Sequence, residues 1–99
     1  MEIKTAAAEI HKTAASHGWW DEDKRRSFGD LMALLHSEVS EAFEAYREGK
    51  DDHIGEELAD VAIRLFDTSE GLGYDIEAEI IRKMAYNKKR PYRHGGKRV

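Results

Sequence analysis

The sequence predicts an all-α protein, a four-helix-type bundle whose helices are joined by short antiparallel connections. Three observations lead to this prediction. Apolar residues recur at three- and four-residue steps along four separate segments. Glycines stand where those segments end. No stretch alternates apolar and polar residues as a half-buried strand would.

The first two helices are bounded by recognisable signals. The first is predicted over about residues 2–16, and Gly18 can end it in a left-handed conformation. Ser27 and Asp30 have the spacing of a capping box at the start of the second, which Gly49 ends. Each segment carries an apolar stripe: Ile3, Ala7, Ile10 and Ala14 in the first; Phe28, Leu31, Leu34, Leu35, Val39, Ala42, Phe43 and Tyr46 in the second.

The third helix is predicted from about His53 to Glu70, and the preceding connection, residues 50–52, is expected to supply its cap. Its apolar residues occupy two faces. One face has Ile54, Leu58, Val61, Ala62 and Leu65, and the other has Ala59, Ile63 and Phe66. A helix that is apolar on two sides is buried on two sides, which in so short a chain indicates a subunit interface. We therefore expect a homodimer or a dimer of dimers.

The fourth helix is predicted from Ile76 to about Lys88, with Asp75 as its cap and with Ile76, Ile80, Ile81 and Met84 facing inward. The 99 residues fit one domain, residues 1–99, with a basic tail at about residues 89–99. No apolar run approaches the length of a membrane span, there is no signal-peptide pattern, and there is no cysteine. Cytoplasmic residence is the default expectation.

Two helices each carry a pair of acids next to their apolar stripe. Glu38 and Glu41 lie three residues apart on the second helix, as do Glu57 and Asp60 on the third. This spacing brings two carboxylates within reach of one ion. Four unpaired carboxylates around one cavity would repel each other, and a hard divalent cation removes that repulsion. The absence of cysteine and of Glu-x-x-His pairs argues against zinc and di-iron sites, so we expect Mg²⁺, with Mn²⁺ able to substitute.

The fourth helix adds a basic stripe, Lys83, Asn87 and Arg90, which borders its apolar side by helical geometry. The stripe is either a solvated basic face or a phosphate clamp. Trp19 and Trp20 lie just past the first helix, and His94 and Lys97 lie in the tail. We expect His11, His17 and His53 to be surface residues.

Taken in order, Glu38-x-x-Glu41, Glu57-x-x-Asp60 and Lys83-x-x-x-Asn87 resemble the signature of the MazG-like, all-α nucleoside triphosphate pyrophosphohydrolases. The segments LLHSEVSEAFEAYREG, GEELADVAIRLFD and KMAYNKKRPYRHGGKR resemble the short, single-domain branch of that family. The resemblance covers most of the chain, from about Gly18 onward.

The resemblance implies hydrolysis of (deoxy)nucleoside triphosphates between the α and β phosphates, giving the monophosphate and pyrophosphate. It implies that the four acids hold Mg²⁺, that Lys83 and Asn87 contact the nucleotide, and that subunits form dimers or tetramers. It also makes one of Trp19 and Trp20 a candidate for stacking on the nucleobase, and His94 and Lys97 candidates for phosphate contacts. Glu38, the acid deepest in its apolar stripe, is our hypothesis for the general base as well as a metal ligand. Many relatives have another Glu before the first motif, where this chain has Ser37, which leaves the number of metal ions open.

Two other functions fit parts of the sequence. The basic tail, with Tyr86 and Tyr92 interleaved, could bind nucleic acid, although no recognition motif is present and the net charge is −4. The acids could also form only ion pairs within a structural helical oligomer. Hydrolysis of a triphosphate to pyrophosphate separates the enzyme from both alternatives.

Overall fold

The computed structural model describes residues 2–92. It contains four α-helices: α1 (Ile3–Ser16), α2 (Phe28–Arg47), α3 (Ile54–Gly71) and α4 (Ile76–Lys88). Two single-turn 3-10 helices, Glu22–Lys24 and Asp51–His53, lie in the connections before α2 and α3. No strand occurs within residues 2–92. The predicted all-α class and all four predicted helices are confirmed.

The capping signals at α2 and α4 form as predicted. The Ser27 hydroxyl accepts from the backbone N–H of Asp30 at 3.0 Å, and the backbone N–H of Ser27 donates to the Asp30 carboxylate at 3.2 Å. The Asp75 carboxylate accepts from the backbone N–H of Ala78 at 3.0 Å. Each bond satisfies a helix N-terminal donor that would otherwise lack a partner. Helix α2 therefore begins at a defined residue, which fixes the register of its acids.

The predicted cap for α3 is wrong. Residues 51–53 form the 3-10 turn instead, and α3 follows it directly from His53 with no side-chain cap bond. Because the 3-10 turn already places residues 51–53 in a helical conformation, the chain enters α3 without the extended cap residue that α2 has. At the end of α2, Gly49 adopts a φ of +71°, the left-handed region that favours glycine.

Helix α3 is the central element. It packs against α2 on one side and α1 on the other, whereas α4 touches only α1 and α3. The start of α1 is tied to α4 by the backbone N–H of Lys4, which donates to the Glu77 carboxylate at 2.9 Å. Few apolar side chains are buried within residues 2–92: Ala7, Leu31, Ala42 and Ala45. Three of these four are alanines, so the single chain has a small core.

Large apolar side chains remain exposed on three helices. Val39, Phe43 and Tyr46 of α2 are 52%, 58% and 66% exposed, and they follow one another at helical spacing. Leu58 and Leu65 form a similar row on α3. The prediction that Ile81 and Met84 face inward is wrong for the single chain, since they are 61% and 55% exposed. Within residues 2–92, α4 contacts α1 and α3 but not α2.

The dimensions agree with an incomplete core. The accessible surface is 7920 Å², whereas a compact monomer of this mass exposes about 5,700 Å². The radius of gyration is 16.1 Å, against about 13 Å for a compact domain of 100 residues. None of the helices in residues 2–92 combines the length and the apolar character that a membrane crossing requires.

Candidate functional site

The acid cluster, defined as Glu38, Glu41, Glu57 and Asp60, lies where α2 packs on α3. Glu38, Glu41 and Asp60 line one cavity of about 680 Å³, which α1 closes on its far side. We call this the acid-lined cavity. Glu38 and Glu57 are half-buried, while Glu41 and Asp60 are exposed. The deep position that the sequence predicts for Glu38 is therefore found in the structure.

The acids of this cluster influence one another electrostatically. The pKa of the Glu41 carboxyl is raised above its ordinary value of 4.5, first by a hydrogen bond shared with Glu38 and then by the Glu38 charge. Partial loss of hydration and the charges of Glu57 and Asp60 raise this pKa further. The α3 pair thus acts on the α2 pair across the helix–helix contact. A divalent cation neutralises clustered negative charge of this kind.

One cation of the chain already lies against the cluster. The Arg64 guanidinium donates to the Glu38 carboxylate at 3.1 Å, and the two side chains are 20% and 15% exposed. Arg64 stands one helical turn after Asp60, so α3 carries both acids and a counter-ion for α2. Helical spacing relates residues of the same helix only, so it does not predict this pair between α2 and α3. The clue was present in the arginine within the apolar segment VAIRLF.

Arg64 also belongs to a stack around Trp19. Its guanidinium carbon lies 4.0 Å from the Trp19 ring centroid, and that of Arg26 lies 3.8 Å from the same point. Two guanidinium groups so close to one centroid would clash on the same face, so they lie on opposite faces. Arg26 also donates to the Trp19 backbone carbonyl at 2.7 Å. A nucleobase could stack on Trp19 only after one of these guanidinium groups moved.

Trp20 takes part in a second buried group. Its indole N–H donates to Oδ1 of Asp67 at 2.8 Å, and Nδ1 of His11 is 2.9 Å from the same oxygen. Asp67 is only 3% exposed. The expectation that His11 is a surface residue is wrong, because its ring is half-buried between Asp67 and the edge of Trp20. Local spacing does not indicate this group, since Trp20 and His11 lie 47 and 56 residues from Asp67 along the chain.

The basic stripe lies apart from the acids within one chain. Lys83 lines a different cavity with Glu79, Ile80, Arg82 and Tyr86, and its ammonium sits 4.5 Å from the Tyr86 ring centroid. Asn87 is exposed in the last turn of α4, and Arg90 follows the end of the helix. The predicted contacts of His94 and Lys97 fall outside the described residues.

The chemistry of the acid cluster fits a divalent cation, but the residues are not preassembled as a cage. In the part of the chain that the structure describes, no three acidic or histidine side chains converge as ligands. The pairing of Glu38 with Arg64 accounts for this, because it directs the deepest carboxylate to an internal cation. The carboxylates are hard oxygen donors, carry mutual repulsion and line an open cavity, so Mg²⁺ suits them better than a thiophilic metal.

Residues 26–94 of the chain are similar to a known protein domain. The model of the MazG nucleotide pyrophosphohydrolase domain matches residues 26–94, which include the acid cluster and the basic stripe. No curated protein and no solved structure matches the chain significantly.

Proposed function

The chain belongs to the MazG nucleotide pyrophosphohydrolase family, and we propose that it hydrolyses nucleoside triphosphates at the α–β phosphate bond with Mg²⁺. The products are the nucleoside monophosphate and pyrophosphate. The observation that carries the proposal is the acid cluster, in which two pairs of carboxylates on packed helices act on one another beside a cavity. A volume of about 680 Å³ lies within the range of small-molecule sites.

We assign Glu38, Glu41, Glu57 and Asp60 as the residues that hold the metal, since proteins of this family generally depend on a divalent metal. When bound, Mg²⁺, or Mn²⁺ in its place, supplies positive charge that offsets the phosphate oxygens. Arg64 must release or share Glu38 when that carboxylate is needed as a ligand. The guanidinium is then available to the phosphate chain, for which its fork geometry is suited.

Glu38 is the proposed general base. Hydrolysis adds water across the α–β anhydride, and the proton lost by the attacking oxygen needs an acceptor. Glu38 is the less exposed of the two acid-cluster residues on α2, and the packing of α2 against α3 sets its position. A carboxylate kept in place by packing is suited to accept a proton repeatedly from the same position.

We further propose that the active form is a homodimer or a dimer of dimers. The exposed apolar rows on α2 and α3 offer a surface for a second subunit. The chain exposes roughly 2,200 Å² more than a compact monomer of its mass, which is enough area for a stable subunit interface. A second copy on this face could also bring the basic stripe of one subunit, Lys83, Asn87 and Arg90, to the acid cluster of the other. Cytoplasmic location stays a prediction.

The activity is tested with a panel of dNTPs and NTPs in the presence of Mg²⁺, with the products separated by ion-exchange chromatography. Monophosphate and pyrophosphate are expected in equal amounts. Glu38→Gln should lower turnover by about 100-fold or more, in line with general base catalysis. Glu44→Gln removes an exposed acid further along α2 and serves as the matched control. The proposal is contradicted if no triphosphate yields a product, or if the products are the nucleoside diphosphate and orthophosphate.

The assembly is tested by sedimentation of the wild-type protein and of Phe43→Glu. Phe43 is exposed in the centre of the α2 row, so a charge there should dissociate the oligomer. A monomeric wild-type protein at micromolar concentration refutes the oligomer.

A further inference from the structure

Arg64 brings a permanent positive charge to a cavity that is otherwise acidic. Among the described residues that line the acid-lined cavity, Arg64 is the one lysine or arginine, and Glu38, Glu41 and Asp60 line the same cavity. Arg64 follows Asp60 by one turn of α3 and pairs with Glu38 of α2 at 3.1 Å. A phosphate chain that enters this cavity therefore meets a guanidinium that already has a carboxylate partner.

The partner of Arg64 cannot be removed without a replacement. The pair with Glu38 is the ion pair that Arg64 forms within the described residues, and both side chains are mostly buried. Asp67, three residues further along α3, already accepts hydrogen bonds from Trp20 and His11. Taking one partner from a part-buried ion pair leaves the other charge uncompensated, which is strongly unfavourable. A divalent cation that binds Glu38 displaces Arg64 at this cost unless another anion receives the guanidinium.

Trp19 holds the guanidinium in place independently of Glu38. The guanidinium carbon of Arg64 lies 4.0 Å from the ring centroid, and Trp19 lines the same cavity. Arg26 supports the ring from its other face and donates to the Trp19 backbone carbonyl. A guanidinium stacks through its flat face and donates hydrogen bonds from its edge. Arg64 can therefore keep the stack while its N–H groups turn from one oxyanion to another.

We propose that Arg64 exchanges partners when substrate binds, from the Glu38 carboxylate to the phosphate chain, and thereby couples binding of the divalent cation to binding of the triphosphate. This deepens the proposed hydrolysis of nucleoside triphosphates and rests on it. A cation alone binds weakly, because it leaves Arg64 without a counter-charge. When a triphosphate is present, its oxygens receive the guanidinium in bidentate geometry. The coupling is reciprocal, so each ligand raises the affinity for the other.

Two calorimetric titrations that need no turnover measure this exchange. Mn²⁺ alone probes the cation site, and inorganic tripolyphosphate in excess Mg²⁺ probes the phosphate site without a base or a sugar. Arg64→Met should bind Mn²⁺ about 10-fold more tightly than the wild type, because Glu38 then has no internal counter-ion. The same variant should bind the Mg²⁺–tripolyphosphate complex about 10-fold more weakly, because the guanidinium fork is missing.

Arg47→Met is the matched control, because it makes the same chemical change in an exposed pair with Glu44. Both of its affinities should equal those of the wild type. If Arg64→Met does not fold, the neutral variant Arg64→Gln replaces it, with both shifts expected in the same directions.

Thermal unfolding of the wild type provides a test that needs no variant. Saturating Mg²⁺ alone should raise Tm much less than Mg²⁺ together with tripolyphosphate. An equal rise in both conditions overturns the exchange.

The two affinity shifts distinguish this inference from the proposed function. A residue that only packs against its neighbours would weaken both ligands or neither, whereas the exchange requires shifts in opposite directions. If triphosphates are hydrolysed but either shift is missing, the exchange is wrong and the hydrolase stands. If no triphosphate is hydrolysed, the same titrations still decide, and opposite shifts support the exchange at a site that binds phosphate without cleaving it.

Discussion

Replacing Arg64 by methionine should destabilise the metal-free protein. The substitution keeps an unbranched side chain of similar length but removes the 3.1 Å bond to Glu38 and the stack on Trp19. A hydrogen bond between charged groups contributes about 1.5–3 kcal/mol, and a cation–π contact adds about 0.5–1 kcal/mol. Since both partners retain some exposure, we expect a loss of about 2 kcal/mol. In a domain this size, that lowers Tm by roughly 8–16 °C.

The same variant should respond more strongly to Mg²⁺. In the wild type, the cation has to compete with Arg64 for Glu38, whereas in Arg64→Met the carboxylate has no internal counter-ion. Urea unfolding at one fixed protein concentration, with EDTA and with saturating Mg²⁺, measures both effects. We expect Mg²⁺ to restore more than half of the lost free energy of unfolding, because it replaces the missing positive charge.

Arg47→Met is the matched control for this experiment. Arg47 pairs with Glu44 at 2.8 Å, but the side chains are 61% and 52% exposed, and such surface pairs contribute only about 0–1 kcal/mol. The reasoning is refuted if Arg64→Met is no more destabilising than Arg47→Met. It also fails if the loss is the same with and without Mg²⁺, since Arg64 would then act only through packing.

Three further predictions concern two acids of α2 and two glycines of α3. Glu38→Gln should lose most of its turnover even at saturating Mg²⁺, and full turnover of this variant would show that Glu38 is not the general base. Because the pKa of Glu41 is raised in the folded protein, folding stability falls as the pH rises from 4.5, the ordinary pKa of this carboxyl, through the raised pKa. Glu41→Gln should therefore raise Tm near pH 7 in EDTA and leave Tm unchanged near about pH 4. Equal Tm values of the variant and the wild type near pH 7 would contradict this. At Gly71 an added Cβ would overlap the Trp20 ring, so Gly71→Ala should lower the free energy of unfolding by about 1–3 kcal/mol. Gly55 has open space around it, so Gly55→Ala should raise the free energy of unfolding by about 0.5 kcal/mol. Denaturant unfolding of both variants measures the difference, and an unchanged stability of Gly71→Ala would contradict the close contact.

Local signals made the helices predictable. The Ser27–Asp30 capping box and the Asp75 cap depend on residues three positions apart, and both form as their spacing indicates. The same helical geometry placed Glu38 on the buried side of α2 and set Glu57 and Asp60 next to each other on α3. These features depend on one helix at a time, so a single sequence contains the information that fixes them.

Contacts between helices were not predictable in the same way. The Arg64–Glu38 pair joins residues 26 positions apart, and the Trp20–Asp67 bond spans 47. Each depends on the rotation of one helix against another, which periodicity leaves undetermined. Ile81 and Met84 illustrate the same gap, because their helical spacing indicates an apolar side but does not say whether this chain or another covers it.

The incomplete core and the chemistry of α3 are physically connected. Toward its C-terminal end α3 buries Asp67, Thr68 and Ser69 rather than large apolar residues, and the cavity beside it is open. Polar groups buried next to a cavity add little net stability unless each has a partner. Asp67 and Ser69 already have hydrogen-bond partners, and Oγ1 of Thr68 has none among the described residues. The acid-lined cavity is lined by residues of α3 but by none of α4, so substrate binding there should protect α3 amides from hydrogen exchange more than those of α4.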